Sequence, residues 1–335
     1  MNITIKALVK KRIRWGIIGL GRIAEKFAND LELVTDAELY AVASRSEEKA
    51  IGFARKFKAT KAYKGYTKIC EDENVDIVYI ATPHHLHFQN SLDCLRMYKP
   101  VLCEKPAAIN RKQLEEMISE SKSNQTFFME ALWTRFLPFF SEIYKTIISG
   151  SLGEIISVRA DFCFNTEFNP KSRLYDQNMG GGALLDIGIY PVFLAYQLMG
   201  VPQKISATAK IGKSQVDEVC TIIMEYEHGK SAQLLASIIF ESRMEAEIHG
   251  TFGSIVVPPR WHESTEFSIV LNQRRTKRIQ PGKIGKGYTH EIKACHDCLR
   301  NRWIEHPDWS HKNSLELMGI LDSIREEIGL RYPYD

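Results

Sequence analysis

A Gly-x-Gly-x-x-Ala turn at Gly19, Gly21 and Ala24 constrains this chain more than any other feature. It follows an apolar segment, Arg14 to Gly19, and leads into Ile23, Ala24, Phe27, Ala28 and Leu31, which recur at helical spacing. A strand, a tight glycine turn and an amphipathic helix form the opening unit of a dinucleotide-binding parallel sheet. Gly19 permits the turn and Gly21 lets backbone approach a pyrophosphate. The helix start at Arg22 and Ile23 then offers unpaired N–H groups to an anion. A tight turn that binds nothing is the plain structural alternative.

The first half keeps this alternation. Leu39 to Ala43, Val75 to Ala81, Val101 to Cys103 and Thr126 to Met129 read as strands. Glu47 to Phe57 and the Asn110-capped segment through Ser121 read as helices. After Pro138 the apolar period drops to two, as in Ile156, Val158, Ala160, Phe162 and Phe164, or Ile205, Ala207, Ala209 and Ile211. Val219 to Tyr226 and Ser231 to Phe240 add two longer strand patterns, and His290 to Ile328 reads as helical. The expected fold is α/β: an N-terminal Rossmann doubly wound parallel sheet, then a C-terminal α+β domain built on an open, largely antiparallel sheet. At 335 residues the chain has room for both. The expected boundaries are an N-terminal extension over 1–12, an NADP-binding domain over 13–135 and a substrate and dimerisation domain over 136–335. The last helix is expected to return to the first domain.

Composition narrows the class. A 44% hydrophobic fraction and 25% charged residues are those of a globular protein. A net charge of +3 without a basic block gives no case for nucleic acid or an anionic membrane. No apolar run approaches the roughly 18 residues of a membrane helix. Seven scattered cysteines suit a reducing, cytoplasmic setting, and Cys295 and Cys298 read as packed thiols, since no second pair stands at zinc spacing.

The end of the second strand separates two cofactors. NAD enzymes place a carboxylate there for the ribose 2′-OH. This chain has Ser44-Arg45-Ser46, with Lys49 a turn later. Arg45 can pair with a 2′-phosphate that a carboxylate would repel, so NADP is favoured and NAD is the alternative. A solvated helix-start arginine is the bland reading. The Thr82-Pro83-His84-His85-Leu86-His87 loop stands at a strand's carboxyl end, where open α/β sheets bind ligands. It reads as cofactor contact rather than as a metal site, because no carboxylate or thiolate cluster joins the histidines.

Two further motifs carry chemistry. Glu104-Lys105-Pro106 closes a strand, and Asp186 and Tyr190 stand four apart after Gly180, Gly181 and Gly182. Moving a hydride from a carbinol carbon needs a group that takes the hydroxyl proton. A phenol with a pKa of about 10 needs a neighbouring cation to do so at neutral pH, and Lys105 can supply one. The glycines let backbone come close to a ligand. On residue type alone, Tyr190 reads equally as a core tyrosine and Asp186 as a helix-start charge.

The runs Gly16 to Ala24, Ala43 to Arg45, Ala81 to His87, Cys103 to Pro106, Met129 to Phe136 and Gly181 to Pro191 resemble the glucose–fructose oxidoreductase, inositol dehydrogenase and MocA family. They stand in family order across residues 14–330. Within that family the chain is most similar to the dihydrodiol and NADP-dependent xylose dehydrogenase branch. The resemblance implies catalytic roles for Lys105, Asp186 and Tyr190, many relatives having histidine where Tyr190 stands. It implies cofactor contacts at Glu104, Lys105 and Tyr288, and substrate contacts at Trp133, Arg135 and Phe162. It also implies hydride transfer between NADP and a hydroxyl or ketone carbon of a sugar, polyol or trans-dihydrodiol, with a homodimer through the open sheet face. Two rivals stay open. One is a dehydrogenase of a nucleotide-linked sugar, for which Arg159, Lys171 and Arg173 would bind phosphate. The other is a non-catalytic NADP sensor, which has no need of all three catalytic groups.

Overall fold

The computed structural model describes residues 12–271 and 275–335, so the expected extension at 1–12 lies outside them but for Arg12. Six parallel strands form the first sheet: β1 (Ile13–Ile18), β2 (Ala37–Ser44), β3 (Lys61–Lys64), β4 (Ile77–Ile80), β5 (Val101–Glu104) and β6 (Phe128–Ala131). Their order is β3-β2-β1-β4-β5-β6, so the winding reverses between β1 and β4. That is where an open α/β sheet leaves a crevice at its carboxyl edge. Helices α1 (Arg22–Leu31), α2 (Glu47–Phe57), α3 (Thr67–Glu71), α4 (His87–Arg96) and α5 (Arg111–Ser123) link the strands. Ile77 to Ile80 is buried throughout, as a central strand covered on both faces must be. The side chain of Asn110 accepts the N–H of Gln113 at 2.9 Å and so begins α5 where expected. β3 had no apolar pattern to reveal it. It reads Lys-Ala-Tyr-Lys, the charged edge that discourages strand addition.

The second sheet has eight strands: β7 (Ile155–Cys163), β8 (Lys204–Ile211), β9 (Asp217–Glu225), β10 (Ser231–Ser237), β11 (Ala246–Gly250), β12 (Gly253–Val257), β13 (Phe267–Leu271) and β14 (Arg275–Ile279). Their order is β14-β13-β12-β11-β7-β10-β9-β8, antiparallel except where β7 runs beside β10. Val158, Ala160, Ile222, Leu234 and Ile248 turn into the core. Helices α6 (Pro138–Ile148), α7 (Ile189–Met199), α8 (Tyr288–Asn301) and α9 (His311–Glu327) complete the chain, with α7 against β7 and β10. The other face, with Arg159, Gln233 and Ile223 side by side, is open.

Residues 258–287 carry β13 and β14, which no pattern above singles out, and two expectations change. The helical pattern from His290 to Ile328 is two helices, the first ending where Arg302 turns left-handed at φ 56°. Gln177–Met199 does have the length and hydropathy of a membrane span, but 83% of that window is buried inside the fold. Its second half is α7, a helix packed in the core of the second domain. α9 packs on α5 and β6 as well as on β8. The seven cysteines are all unbridged and buried.

Candidate active site

The crevice begins in backbone. A Cβ on Gly19, whose φ is +88°, would sit 2.7 Å from main-chain atoms of Ala81 and Thr82. The turn after β1 therefore lies directly on the end of β4, and only glycine fits. A Cβ on Gly21 would meet nothing within 4 Å, because that position faces the open crevice. Gly21 also caps α1 without any side-chain hydrogen bond, so the first N–H groups, from Arg22 and Ile23 on, stay available for an anion. At the end of β2, Ser44 is buried and accepts the N–H of Ser46 at 3.3 Å, while Arg45 and Lys49 are exposed. These features fit a dinucleotide, its pyrophosphate at Gly21 and its adenosine end toward Arg45.

The loop after β4 is stapled from within. Both ring nitrogens of His87 face carbonyls, Pro106 O at 2.8 Å and Thr82 O at 2.7 Å. Burial pushes its pKa down to about 4, so the neutral ring donates to one of them. Asn90 donates to the Thr82 hydroxyl at 3.1 Å, and Pro83 opens the short turn that holds the histidines. His84 Nδ1 faces Gly180 O at 3.0 Å, which assigns the proton to Nδ1. Burial holds that ring near a pKa of about 3, so its approach to Asp186 at 3.8 Å is not an ion pair at neutral pH. Among the described residues no group of histidine, cysteine and carboxylate side chains can hold a metal.

Across the crevice the side chains converge. Lys105, just after β5, donates to the main-chain carbonyl of Asp186, and its Nζ lies 3.6 Å from that residue's carboxylate. The same ammonium is 5.0 Å from the Tyr190 ring centroid. Asp186 and Tyr190 share a face, as their spacing implied, although Leu184–Gly188 is a π-helical turn rather than α. Pro191 has no N–H to give that turn and would crowd a carbonyl of a regular α-helix, so the helix widens just before it. Burial alone would raise the pKa of Asp186. Lys105 and then Arg173 more than reverse that and hold it well below the usual carboxylate range. Glu104 points behind the site, where it accepts the Tyr79 O–H.

Tyr190 corrects an expectation. Its hydroxyl oxygen accepts the Trp133 indole N–H at 2.9 Å. Burial first, and Glu104 next, push its pKa well above the ordinary value, against the opposing Trp133 hydrogen bond. The phenol of the free chain is firmly protonated. Around it stand Phe162 at 5.6 Å and His262 at 5.2 Å between ring centroids, and Tyr288 stacks on Trp133 at 4.8 Å. Asp30, at the end of α1, accepts the backbone N–H of Tyr288 at 2.8 Å and of Lys286, which ties that wall to the first domain.

Two expected contacts are not where the motifs suggested. Arg135 pairs with Asp308 at 3.3 Å and lies over the rings of Phe140 and Tyr144. It is two residues from Trp133 in a 3₁₀ turn, where successive side chains diverge by about 120°. The glycine triplet makes room for protein, not for ligand. A Cβ would meet Ile109 at Gly180, the carbonyls of Arg173 and Leu174 at Gly181, and the Asp217 carboxylate at Gly182. Sequence reasoning missed His262 altogether. Its ring is stacked on Phe162 at 4.2 Å, with Nδ1 buried and unpartnered among the described residues. Nothing in the unpatterned stretch around it would have given it away.

Comparisons with known proteins agree with this geometry. Residues 13–132 match the NAD-binding Rossmann domain of the GFO/IDH/MocA oxidoreductases, and residues 140–256 match that family's C-terminal domain. Trans-1,2-dihydrobenzene-1,2-diol dehydrogenase of Mus musculus is 34% identical over 335 residues, covering 96% of this chain and 99% of that protein. The Homo sapiens enzyme of the same name is 33% identical over 334 residues, with the same coverage. Among solved structures, KijD10, a 3-ketoreductase from Actinomadura kijaniata in complex with NADP and TDP-benzene, superposes with a TM-score of 0.86 at 25% identity, covering 95% of this chain and 98% of that one. The aldose–aldose oxidoreductase of Caulobacter crescentus shares the fold, with a TM-score of 0.86 at 22% identity over 95% of this chain and 97% of its own. The chain belongs to the GFO/IDH/MocA family and is an oxidoreductase.

Proposed function

We propose that this oxidoreductase uses NADP to oxidise one hydroxyl of a trans-dihydrodiol, polyol or sugar, or to reduce the matching ketone. The carrying observation is the Lys105–Asp186 pair held 3.6 Å apart beside the Tyr190 ring. The nicotinamide, when bound, accepts or supplies the hydride. Lys105 binds the reacting oxygen and stabilises charge that develops on it. Asp186 fixes the ammonium through its carboxylate and its main-chain carbonyl together. Tyr190 moves the proton at its hydroxyl. The Trp133 N–H occupies a lone pair of that oxygen, so the O–H hydrogen is directed elsewhere, toward the crevice. Trp133, Phe162, His262 and Tyr288 wall off water.

Arg45 and Lys49, with Ser44 between strand and helix, support NADP over NAD. The nucleotide-sugar reading loses two of its three cations. Arg159 lies on the open sheet face, on the opposite side of β7 from Phe162, and Arg173 is engaged by Asp186. An intact Lys105, Asp186 and Tyr190 set speaks against a mere sensor. The test is NADP and NAD reduction over aldoses, inositols and trans-dihydrodiols, with Tyr190→Phe alongside. Turnover of one member with NADP, reduced about 10²–10⁴-fold in the variant, is expected. Turnover that survives the substitution removes Tyr190 as the proton-transfer group, and tight NADP binding with silence across the panel rejects the substrate class.

A further inference from the structure

Asp186 has a second strong partner that the mechanism above leaves unused. Arg173 donates from Nη1 to Oδ1 at 2.7 Å and from Nη2 to Oδ2 at 3.3 Å, one N–H for each carboxylate oxygen. Its side chain is 48% exposed, against 7% for Asp186 and 12% for Lys105, so it covers the buried pair from the solvent side. A lysine ammonium is a point charge that leaves a carboxylate free to rotate, whereas a guanidinium fork fixes its plane.

The loop that carries Arg173 is itself clamped. A Cβ on Gly181 would fall 2.8 Å from the Arg173 carbonyl, and the Gly182 N–H donates to Leu174 O at 2.9 Å, so the glycines lie directly on this stretch. The Tyr332 O–H donates to Gly181 O at 2.5 Å. On either side of that bond, Gln177 donates to Arg331 O at 2.7 Å and Tyr334 to Asn178 O at 2.8 Å. Tyr332 is buried under the Arg325 guanidinium, which donates to Ile109 O at 2.8 Å. From the opposite side, His84 of the cofactor loop meets Gly180 O.

We infer that Arg173 is a positioning residue: it fixes the Asp186 carboxylate against Lys105, and the 331–334 segment sets its register through Tyr332 and Gly181. This rests on the hydride-transfer reading. The groups facing Asp186 are Lys105 from β5, His84 from the β4 loop and Arg173 from its own loop, with Tyr190 one turn on and Glu104 behind Lys105. Removing Arg173 therefore removes one of two cations that keep the carboxylate ionised.

A thermal double-mutant cycle between Arg173→Ala and Asp186→Asn needs no substrate. Arg173→Ala alone is expected to lower the melting temperature by roughly 2–4 °C, and clearly less in the Asp186→Asn background. Additive shifts overturn the pairing. On the substrate found by the panel, Arg173→Ala is expected to lower kcat about 10²-fold with KM within a few-fold. Its acid limb should move to higher pH, and Arg173→Lys should recover part of the loss. Tyr332→Phe, which deletes one oxygen, should give a smaller loss of the same kind. A loss confined to KM makes Arg173 a substrate contact and overturns the positioning role. An unchanged Tyr332→Phe beside a crippled Arg173→Ala overturns the clamp. If the wild-type protein turns over nothing, the hydride-transfer reading fails, while the thermal cycle still decides the pairing.

Discussion

The cofactor side of the crevice is built from main chain, at Gly19, Gly21 and the first turn of α1, and the facing side is built from side chains. Lys105, Trp133, Phe162, Asp186, Tyr190, His262 and Tyr288 arrive there from separate stretches of both domains. Backbone geometry can be set by a few adjacent glycines and a strand order. A constellation of charges and rings needs the whole tertiary fold. Damage to the two sides should therefore look different: lost affinity on the first, lost chemistry on the second.

Lys105→Ala tests that contrast with the largest expected effect. Removing the ammonium takes charge stabilisation from the reacting oxygen and leaves Gly19, Gly21 and α1 untouched. A fall in kcat on the order of 10³ is expected, with NADP affinity, measured by fluorescence titration, within a few-fold of wild type. Equal losses in both would mean that the two sides are not separable. Gly19→Ala is the reciprocal variant. Its methyl would stand 2.7 Å from main-chain atoms of β4's end at a φ of +88°, so the turn must move. The strain is worth about 1–3 kcal/mol of stability, and the KM for NADP should rise roughly tenfold, that is about 1.4 kcal/mol, while kcat at saturation stays close to wild type. A kcat loss as deep as that of Lys105→Ala would break the comparison.

The same contrast explains what could be read without a structure. Contiguous motifs with a backbone meaning were legible: the glycine turn, the Asn110 cap, the strands buried on both faces. Glu-Lys-Pro and the Asp186 to Pro191 run were legible as motifs, but their meeting was not, because nothing local brings Lys105 to a residue 81 positions away. Asp30 is a buried carboxylate inside an ordinary amphipathic helix, and only its contact with the start of α8 gives it a task. Arg135 failed through local geometry, since a 3₁₀ turn sends it away from Trp133. The glycine triplet was rightly read as a need for space, and the fold alone showed what fills it. β3 and β14 are polar edge strands without an apolar pattern, whereas β13, Phe-Ser-Ile-Val-Leu, is apolar but too short for its pattern to tell a strand from a packed segment.

Trp133→Phe has the smallest expected effect and sharpens the contrast most, because it removes one donor and leaves a smaller aromatic ring in the same wall. The indole N–H to the Tyr190 oxygen favours phenolate, whereas burial and Glu104 favour phenol. Losing the donor therefore raises the Tyr190 pKa further. Oxidation of the alcohol needs the phenol deprotonated as it takes the proton, so its rate at neutral pH should fall several-fold, about 1 kcal/mol for one neutral hydrogen bond. The rate should climb back as pH rises, with the alkaline rise displaced upward from wild type. Reduction of the ketone crosses the same transition state and the equilibrium constant at one pH is fixed, so its kcat/KM should fall by the same factor, and the pH dependence is what marks the lost donor. NADP affinity should not move at all, since the crevice backbone is untouched. A variant slowed by one factor at every pH, with the alkaline rise where wild type has it, would show that Trp133 serves only as a wall and that the proton on Tyr190 is governed by burial and Glu104.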